Sequence, residues 1–335
     1  MTTPHEALRA VLRGDERIAV TGATGWLGST ALELLDETLG PDEAESAVSA
    51  YASRPRTVRT TSGREIAVRA LSDLPYEHPS PTHILHFAFL TRNRLTDLSV
   101  ADYAEANLTI TAVVLDAVAR HRPRGLVVAS SGAVYGPDHR LATDLVGNPY
   151  GMLKHLDELA FRSAAKDVGA TAVIPRVFSV AGAHITKPEL YALGNLILLA
   201  RSTGRLQVRS PGAVVRSFAG VADVVALSLW LALAGRDTVF DTGGEVAEIG
   251  GLAAAVADVL GLSRDAIERH VDREAPEDRY VGDAAAWDGL LAEAGITPTP
   301  LLSLVRDTAV WLGREAEPPV ESDFPTLQKP QGGLS

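Results

Sequence analysis

The chain has no cysteine among its 335 residues, which excludes disulfide staples, thiolate metal sites and a cysteine nucleophile. No apolar run approaches the roughly 18 residues that mark a membrane-spanning helix. Charges fall inside Met1 to Val11, so no signal-peptide core can be read there. Basic residues are in the minority: Lys+Arg 31 against Asp+Glu 42 gives a formal net charge of −11. That balance argues against nucleic acid or an anionic membrane as partner, while leaving room for a local basic pocket around a phosphorylated small molecule. No internal repeat is found, and no metal site is expected. These absences fit a reducing, cytoplasmic setting, and the length suits one large or two interleaved domains.

What is present is most specific near the start. Val20-Thr21-Gly22-Ala23-Thr24-Gly25-Trp26-Leu27-Gly28 follows a short apolar run and breaks into three glycines spaced three apart. The run from Ile18 to Val20 reads as a buried strand, and Leu27, Ala31, Leu34 and Leu35 recur at helical spacing, so the glycines occupy a strand-to-helix turn. Such a turn cradles a pyrophosphate. Gly22 permits the tight bend, Gly25 lets backbone approach the ligand, and Gly28 lets helix and strand pack, while the helix N-terminus supplies free N–H donors. A dinucleotide is the expected ligand, held by Gly22, Thr24, Gly25, Trp26, Leu27 and Gly28.

Pro41 to Glu45 reads as an acidic turn before a second strand at Ser46 to Ala52. An acid after that strand would bind an adenine ribose 2′-hydroxyl, and an arginine there would accommodate a 2′-phosphate. The chain gives Tyr51-Ala52-Ser53-Arg54-Pro55-Arg56 and no acid. Arg54 and Arg56 are either solvated loop charges or a phosphate clamp, and the missing carboxylate points to NADP, with NAD as the alternative. Further strands are expected at Glu65 to Leu71, His83 to Ala88, Gly125 to Ala129, Thr171 to Val177 and Val239 to Asp241, with a helix from about Ala101 to Arg120. Alternation of this kind implies a doubly wound parallel sheet, an α/β fold. Residues 15–180 form the expected dinucleotide-binding domain, rejoined by a strand near 238–242. Residues 181–315 form a smaller, mainly helical C-terminal region expected to bind substrate. The proline-bearing residues 316–335 read as an extended or disordered tail.

Ser130 and Ser131 follow the fifth strand at the carboxyl end of the sheet, where open α/β folds bind ligands. Nineteen residues beyond Ser131 stand Tyr150 and Lys154, four apart and so on one face of a helix. An ammonium beside a phenol, whose ordinary pKa is about 10, together with an oxidised nicotinamide favours phenolate and makes the tyrosine able to shuttle a proton near neutral pH. Alone, such a pair also suits a surface tyrosine resting on core.

The combination of Thr21-Gly22-x-x-Gly25-x-x-Gly28, Ser131, Tyr150 and Lys154 resembles the extended short-chain dehydrogenase/reductase family, particularly its nucleotide-sugar epimerases, dehydratases and ketoreductases. The likeness covers roughly residues 15 to 315 and implies catalytic roles for Ser131, Tyr150 and Lys154, with Tyr150 and Lys154 also touching cofactor. His86-Phe87-Ala88 resembles a cofactor-lining segment, which assigns Ala88 to the cofactor and leaves His86 open as a core histidine. Asn107 resembles an asparagine that supports the catalytic lysine through water, although a solvated helix residue reads the same way. Pro175 to Gly182 resembles the segment bridging cofactor and sugar nucleotide, with Ser179 in place of the family's usual asparagine. Arg216-Ser217-Phe218 resembles a diphosphate-binding segment, and guanidinium suits phosphate through forked, permanently charged donors.

One departure narrows the activity. The 4,6-dehydratases of that family carry an Asp-Glu pair after the catalytic hydroxyl residue, where this chain has Gly132-Ala133. Dehydration therefore drops out. The expected function is NADPH-dependent reduction of a keto group, at C4, of a nucleotide-activated deoxysugar. The alternative is an NAD-retaining nucleotide-sugar 4-epimerase, and a non-catalytic cofactor sensor is a third reading. A nucleotide sugar and a second copy of the chain, as a homodimer, are the expected partners.

Overall fold

The computed structural model describes residues 2–136, 139–272 and 274–314. A short helix α1 (Pro4–Arg9) precedes strand β1 (Ile18–Thr21), helices α2 (Trp26–Leu39) and α3 (Pro41–Ala47), strands β2 (Val48–Ala52), β3 (Arg56–Arg59), β4 (Glu65–Ala70) and β5 (His83–His86), and helix α4 (Val100–His121). Strands β6 (Gly125–Val128) and β7 (Ser130–Ser131) lead to helix α5 (Pro149–Val168) and strands β8 (Thr171–Val177) and β9 (Ser179–Ala181). Helix α6 (Ala192–Thr203), strands β10 (Leu206–Val208) and β11 (Val214–Gly220), helix α7 (Val221–Leu233) and strands β12 (Thr238–Asp241) and β13 (Glu245–Glu248) come next. The described chain closes with helix α8 (Ile249–Leu260), strands β14 (Ile267–Arg269) and β15 (Asp278–Tyr280), and helices α9 (Ala284–Ala294) and α10 (Leu301–Gly313). The tail expected at 316–335 lies outside the described residues.

The main sheet has nine strands in the order β12-β8-β6-β5-β1-β2-β4-β3, with β7 also against β8. It is parallel except for the edge strand β3, antiparallel to β4. The chain builds from β1 toward β4 on one side and then resumes at β5 on the other, so strand order reverses between β1 and β5. That switch point is where open α/β sheets leave a crevice beyond the carboxyl ends of their strands. Strands β1, β2, β5 and β6 bury nearly every residue, as a sheet covered on both faces must. Leu34, Leu35, Val20, Leu85, Val225 and Leu229 pack one face; Ile84, Val114, Val118, Leu126, Phe161 and Ile174 pack the other.

The structure differs from the sequence reading at three places. Pro41 to Glu45 is the first part of α3: proline suits the first helical position, and Asp42 and Glu43 sit favourably at the helix N-terminus. Arg56 is not in a loop; it opens β3, which pairs with β4 through Arg56↔Val68 and Val58↔Ile66. The region after residue 180 carries, besides its helices, a four-stranded sheet in which β11 pairs with β13, β15 and β9, and a two-stranded pair β10-β14. Apart from β11, these strands have three or four residues, too short to show period-two patterning in sequence. Their apolar faces share a separate core with α6, α8 and α10 through Leu196, Ile197, Phe218, Leu252, Val256 and Val305.

Candidate active site

The glycine turn lies at the carboxyl end of β1. Gly22 has φ +65°, and a Cβ there would come within 2.6 Å of the Ala88 nitrogen; a Cβ on Gly28 would come within 2.1 Å of the Gly22 carbonyl oxygen. A side chain fits at neither without moving backbone. Gly25 faces open space apart from the Gly22 oxygen at 3.3 Å and is the N-cap of α2 with no side chain to cap it. The first-turn N–H groups of α2 are thus left for an external acceptor, which fits a dinucleotide pyrophosphate. Ala23 N donates to the Tyr51 oxygen at 3.0 Å, tying the turn to β2. Thr24 sits between Ala23 and Gly25 and is half-buried, as is Leu27. The Trp26 side chain points away from the turn and donates to the Ala183 oxygen at 2.6 Å.

Ala88 borders the same turn, its N–H donating to Thr21 Oγ1 at 3.3 Å. His86 is a buried neutral ring whose Nδ1 pairs with Thr21 Oγ1 at 2.8 Å. Burial, reinforced by the Lys154 charge, pushes its pKa down to about 3, so of the two readings the core histidine is the one its surroundings fit. Arg54 is exposed just past β2, and Arg56 is half-buried at the start of β3.

Ser131, Tyr150 and Lys154 meet because the turn after β7 is bonded to the start of α5. Asn148 caps α5, accepting from Gly151 N at 3.0 Å, while its Nδ2 donates to the Ala133 oxygen at 2.8 Å. Asparagine at the N-cap followed by proline is a strong helix start. A Cβ on Gly151 would lie 2.0 Å from that same Ala133 oxygen, so glycine here brings Tyr150 up against Ser131. The Ser131 hydroxyl faces both Tyr150 and Tyr280, favouring each phenolate. Burial outweighs this at Tyr150 and holds its phenol above the ordinary range, with Ser131 and Arg92 acting the other way. The Lys154 Nζ donates to the Ala129 oxygen at 2.7 Å and lies 3.6 Å from the centre of the Phe89 ring. Burial, opposed by Asp157 and Glu158, brings the Lys154 pKa down to about 8.

Asn107 is buried and committed to backbone: Oδ1 accepts from Leu90 N at 2.8 Å and Nδ2 donates to the Tyr103 oxygen at 3.0 Å. It anchors the segment after Ala88. Ser179 opens β9 and pairs with Phe218 of β11. Arg216 on β11 is held by Asp278, with Nη2 to Oδ2 at 2.6 Å and Nη1 to the backbone oxygen at 2.8 Å, and its guanidinium lies 5.9 Å from the Tyr280 ring centre.

Two features were missed in the sequence. Tyr280 reaches the site because β15 pairs with β11 in the register Arg216↔Tyr280, sixty-four residues apart and without any local signal. The second is a charged cluster behind Ser131: Arg176 donates to both Glu158 oxygens at 2.9 and 2.7 Å and to the Tyr135 hydroxyl at 2.6 Å. Ser130 donates to Glu158 at 2.5 Å, and Tyr135 to Asp241 at 3.0 Å. A signal existed, since Arg176 and Asp241 end otherwise apolar strands. A cavity of about 400 Å³ lined by Arg17, Glu45, Arg64 and Glu77 opens at the opposite, amino-terminal edge of the sheet; none of the predicted residues lines it.

Residues 18–245 match the NAD dependent epimerase/dehydratase family. The chain belongs to that family. It is 32% identical over 190 residues to the UDP-glucose 4-epimerase of Mus musculus, covering 50% of this chain and 55% of that one. It is 26% identical over 249 residues to a probable UDP-arabinose 4-epimerase of Arabidopsis thaliana, covering 63% and 60%. The chain thus spans little more than half the length of these relatives. In fold it is similar to a dTDP-glucose 4,6-dehydratase double mutant from Streptomyces venezuelae with NAD bound (21% identity, TM-score 0.67, 89% of this chain and 97% of that one). It is equally similar to a UDP-glucose-4-epimerase from Stenotrophomonas maltophila with bound NAD (20%, TM-score 0.67, 88% and 97%). Membership of the epimerase/dehydratase family accords with an NAD(P)-dependent enzyme on a doubly wound sheet. Among the described residues no helix is long and apolar enough to cross a membrane, and no cluster of ligands suits a metal ion.

Proposed function

We infer that the chain is a nucleotide-sugar 4-epimerase. The observation that carries this reading is the register of three adjacent strands: Thr21, His86 and Val128 lie side by side, so the glycine turn, Ala88 and Ser131 follow at neighbouring carboxyl ends, with Tyr150 beside Ser131. When bound, the nicotinamide supplies hydride acceptance and return. The chain's own part is at the sugar oxygen, where Tyr150 would exchange the proton once the charges of Lys154 and the oxidised nicotinamide offset its burial, Ser131 hydrogen-bonds the same atom, and Lys154 holds positive charge beneath the site. Arg216, released from Asp278, offers a fork for the diphosphate, and Ser179 lies on the adjoining strand. The 4-epimerase relatives support this reading over the ketone reduction expected from sequence. Dehydration is disfavoured sterically: a Cβ on Gly132 would come within 2.7 Å of both the Phe178 ring and the Tyr280 hydroxyl, leaving no space for a carboxylate there.

A second reading, NADPH-dependent ketoreduction, keeps one specific support. Tyr51 to Arg56 holds no carboxylate for an NAD ribose, while Arg54 and Arg56 suit a 2′-phosphate. Mass spectrometry of cofactor released from the purified protein, with interconversion assays on UDP-sugars, separates the two. Stoichiometric NAD with interconversion supports epimerisation. Cofactor-free protein that oxidises NADPH on 4-keto sugars supports the reductase. Homodimerisation is proposed through exposed Leu108 and Leu159 on the packed helices α4 and α5.

A further inference from the structure

Asp157 stands three residues beyond Lys154 on α5, and residues so spaced share a helix face. Both side chains are buried. Thr111 of α4 donates its hydroxyl to Asp157 Oδ1 at 2.7 Å, but Oδ2 is buried with no hydrogen-bond partner among the described residues. A buried carboxylate left half bare is costly unless a positive charge compensates it. The neighbouring carboxylate, Glu158, already has one in the forked pair with Arg176. Among the described residues Asp157 has no such bonded cation. Lys154 is the complement: its ammonium meets the Ala129 carbonyl and the Phe89 ring, neither of which carries a full negative charge.

We propose that Asp157 is the counter-charge of Lys154, a positioning residue that keeps the buried ammonium protonated beneath the active site. What the ammonium does in turnover rests on the functional reading above; the coupling itself does not. Among the described residues, the charges acting on Lys154 are those of Asp157 and Glu158 on its own helix; neutral His86 from β5 feels the ammonium, and Tyr150 stands one turn before it. From α4 comes the Thr111 hydroxyl that orients Asp157. Burial raises the Asp157 carboxyl and lowers the Lys154 ammonium, and each charge opposes the shift of the other.

The test reads protonation in the full chain without added cofactor. Lys154, Lys166, Lys187 and Lys329 are the four lysines, so the 13Cε resonance of Lys154 is assignable in lysine-labelled protein by comparison with Lys154→Arg. In Asp157→Asn, which retains an oxygen for Thr111, the ammonium loses a neighbouring anion. Its titration midpoint then falls by about one pH unit or more. An unchanged midpoint in folded Asp157→Asn overturns the proposal. Should that variant not fold, the unsubstituted chain decides through the Asp157 13Cγ resonance. A carboxylate ionised throughout the range in which Lys154 loses its proton supports the pairing, and one still protonated there overturns it. Turnover is not read, so an error in the assigned reaction leaves this result standing, and a negative result here leaves the assigned reaction to its own assays.

Discussion

The two walls of the cleft are built in opposite ways. The wall proposed for the cofactor is local: seven consecutive residues from Gly22 to Gly28, anchored by one bond to Tyr51 and one contact with Ala88, make a turn whose shape is dictated by where a Cβ cannot go. The wall proposed for the substrate is assembled from five distant pieces, Ser131, Tyr150, Phe178, Arg216 and Tyr280, held by strand register and by Asn148. A wall made by backbone fails when backbone is disturbed. One made by converging side chains fails a group at a time.

The sharpest way to separate them is Tyr150→Phe, which removes one hydroxyl from the substrate wall and leaves the cradle intact. Turnover is expected to fall about a hundred- to ten-thousand-fold, the usual worth of a positioned proton-transfer group, with cofactor affinity unchanged by titration calorimetry. Ser131→Ala comes next, with turnover down about a hundredfold if the hydroxyl acts as one donor to a developing oxyanion. Tyr280→Phe is expected to cost less, since a neutral hydrogen bond contributes about 1 kcal/mol, and equal losses would mean that the two hydroxyls act as one unit. Gly28→Ala breaks the other wall: the added methyl meets backbone that cannot give, so stability drops by about 1 to 3 kcal/mol, seen as a lower thermal midpoint, and cofactor affinity falls with it. The smallest effect is on cofactor choice. Replacing Arg54 and Arg56 with alanine shrinks any preference for NADPH over NADH by about tenfold if they clamp a 2′-phosphate, at one salt concentration because exposed charges are screened. An unchanged ratio of kcat/KM for the two cofactors removes both from that role.

Alkaline pH probes the floor beneath both walls. Lys154 carries its charge below its pKa of about 8, so activity that needs the ammonium declines as pH rises through that value.

Sequence by itself determined the glycine turn, the parallel sheet and the placing of Tyr150 and Lys154 on one helix. Each is a local pattern, in which glycine spacing, apolar runs or a four-residue helical step specify geometry with no reference to the rest of the chain. It also supplied Gly132, whose meaning as a missing acid could be read, although the reason no acid fits there, the Phe178 ring and the Tyr280 hydroxyl, could not. Tertiary structure alone decided that Tyr280 faces Ser131, that Arg216 is held by Asp278, that Asn107 anchors backbone at Leu90 and Tyr103, and that Arg56 lies in a strand. These depend on which strand lies beside which and in what register, a choice made by burial of faces far apart in the chain.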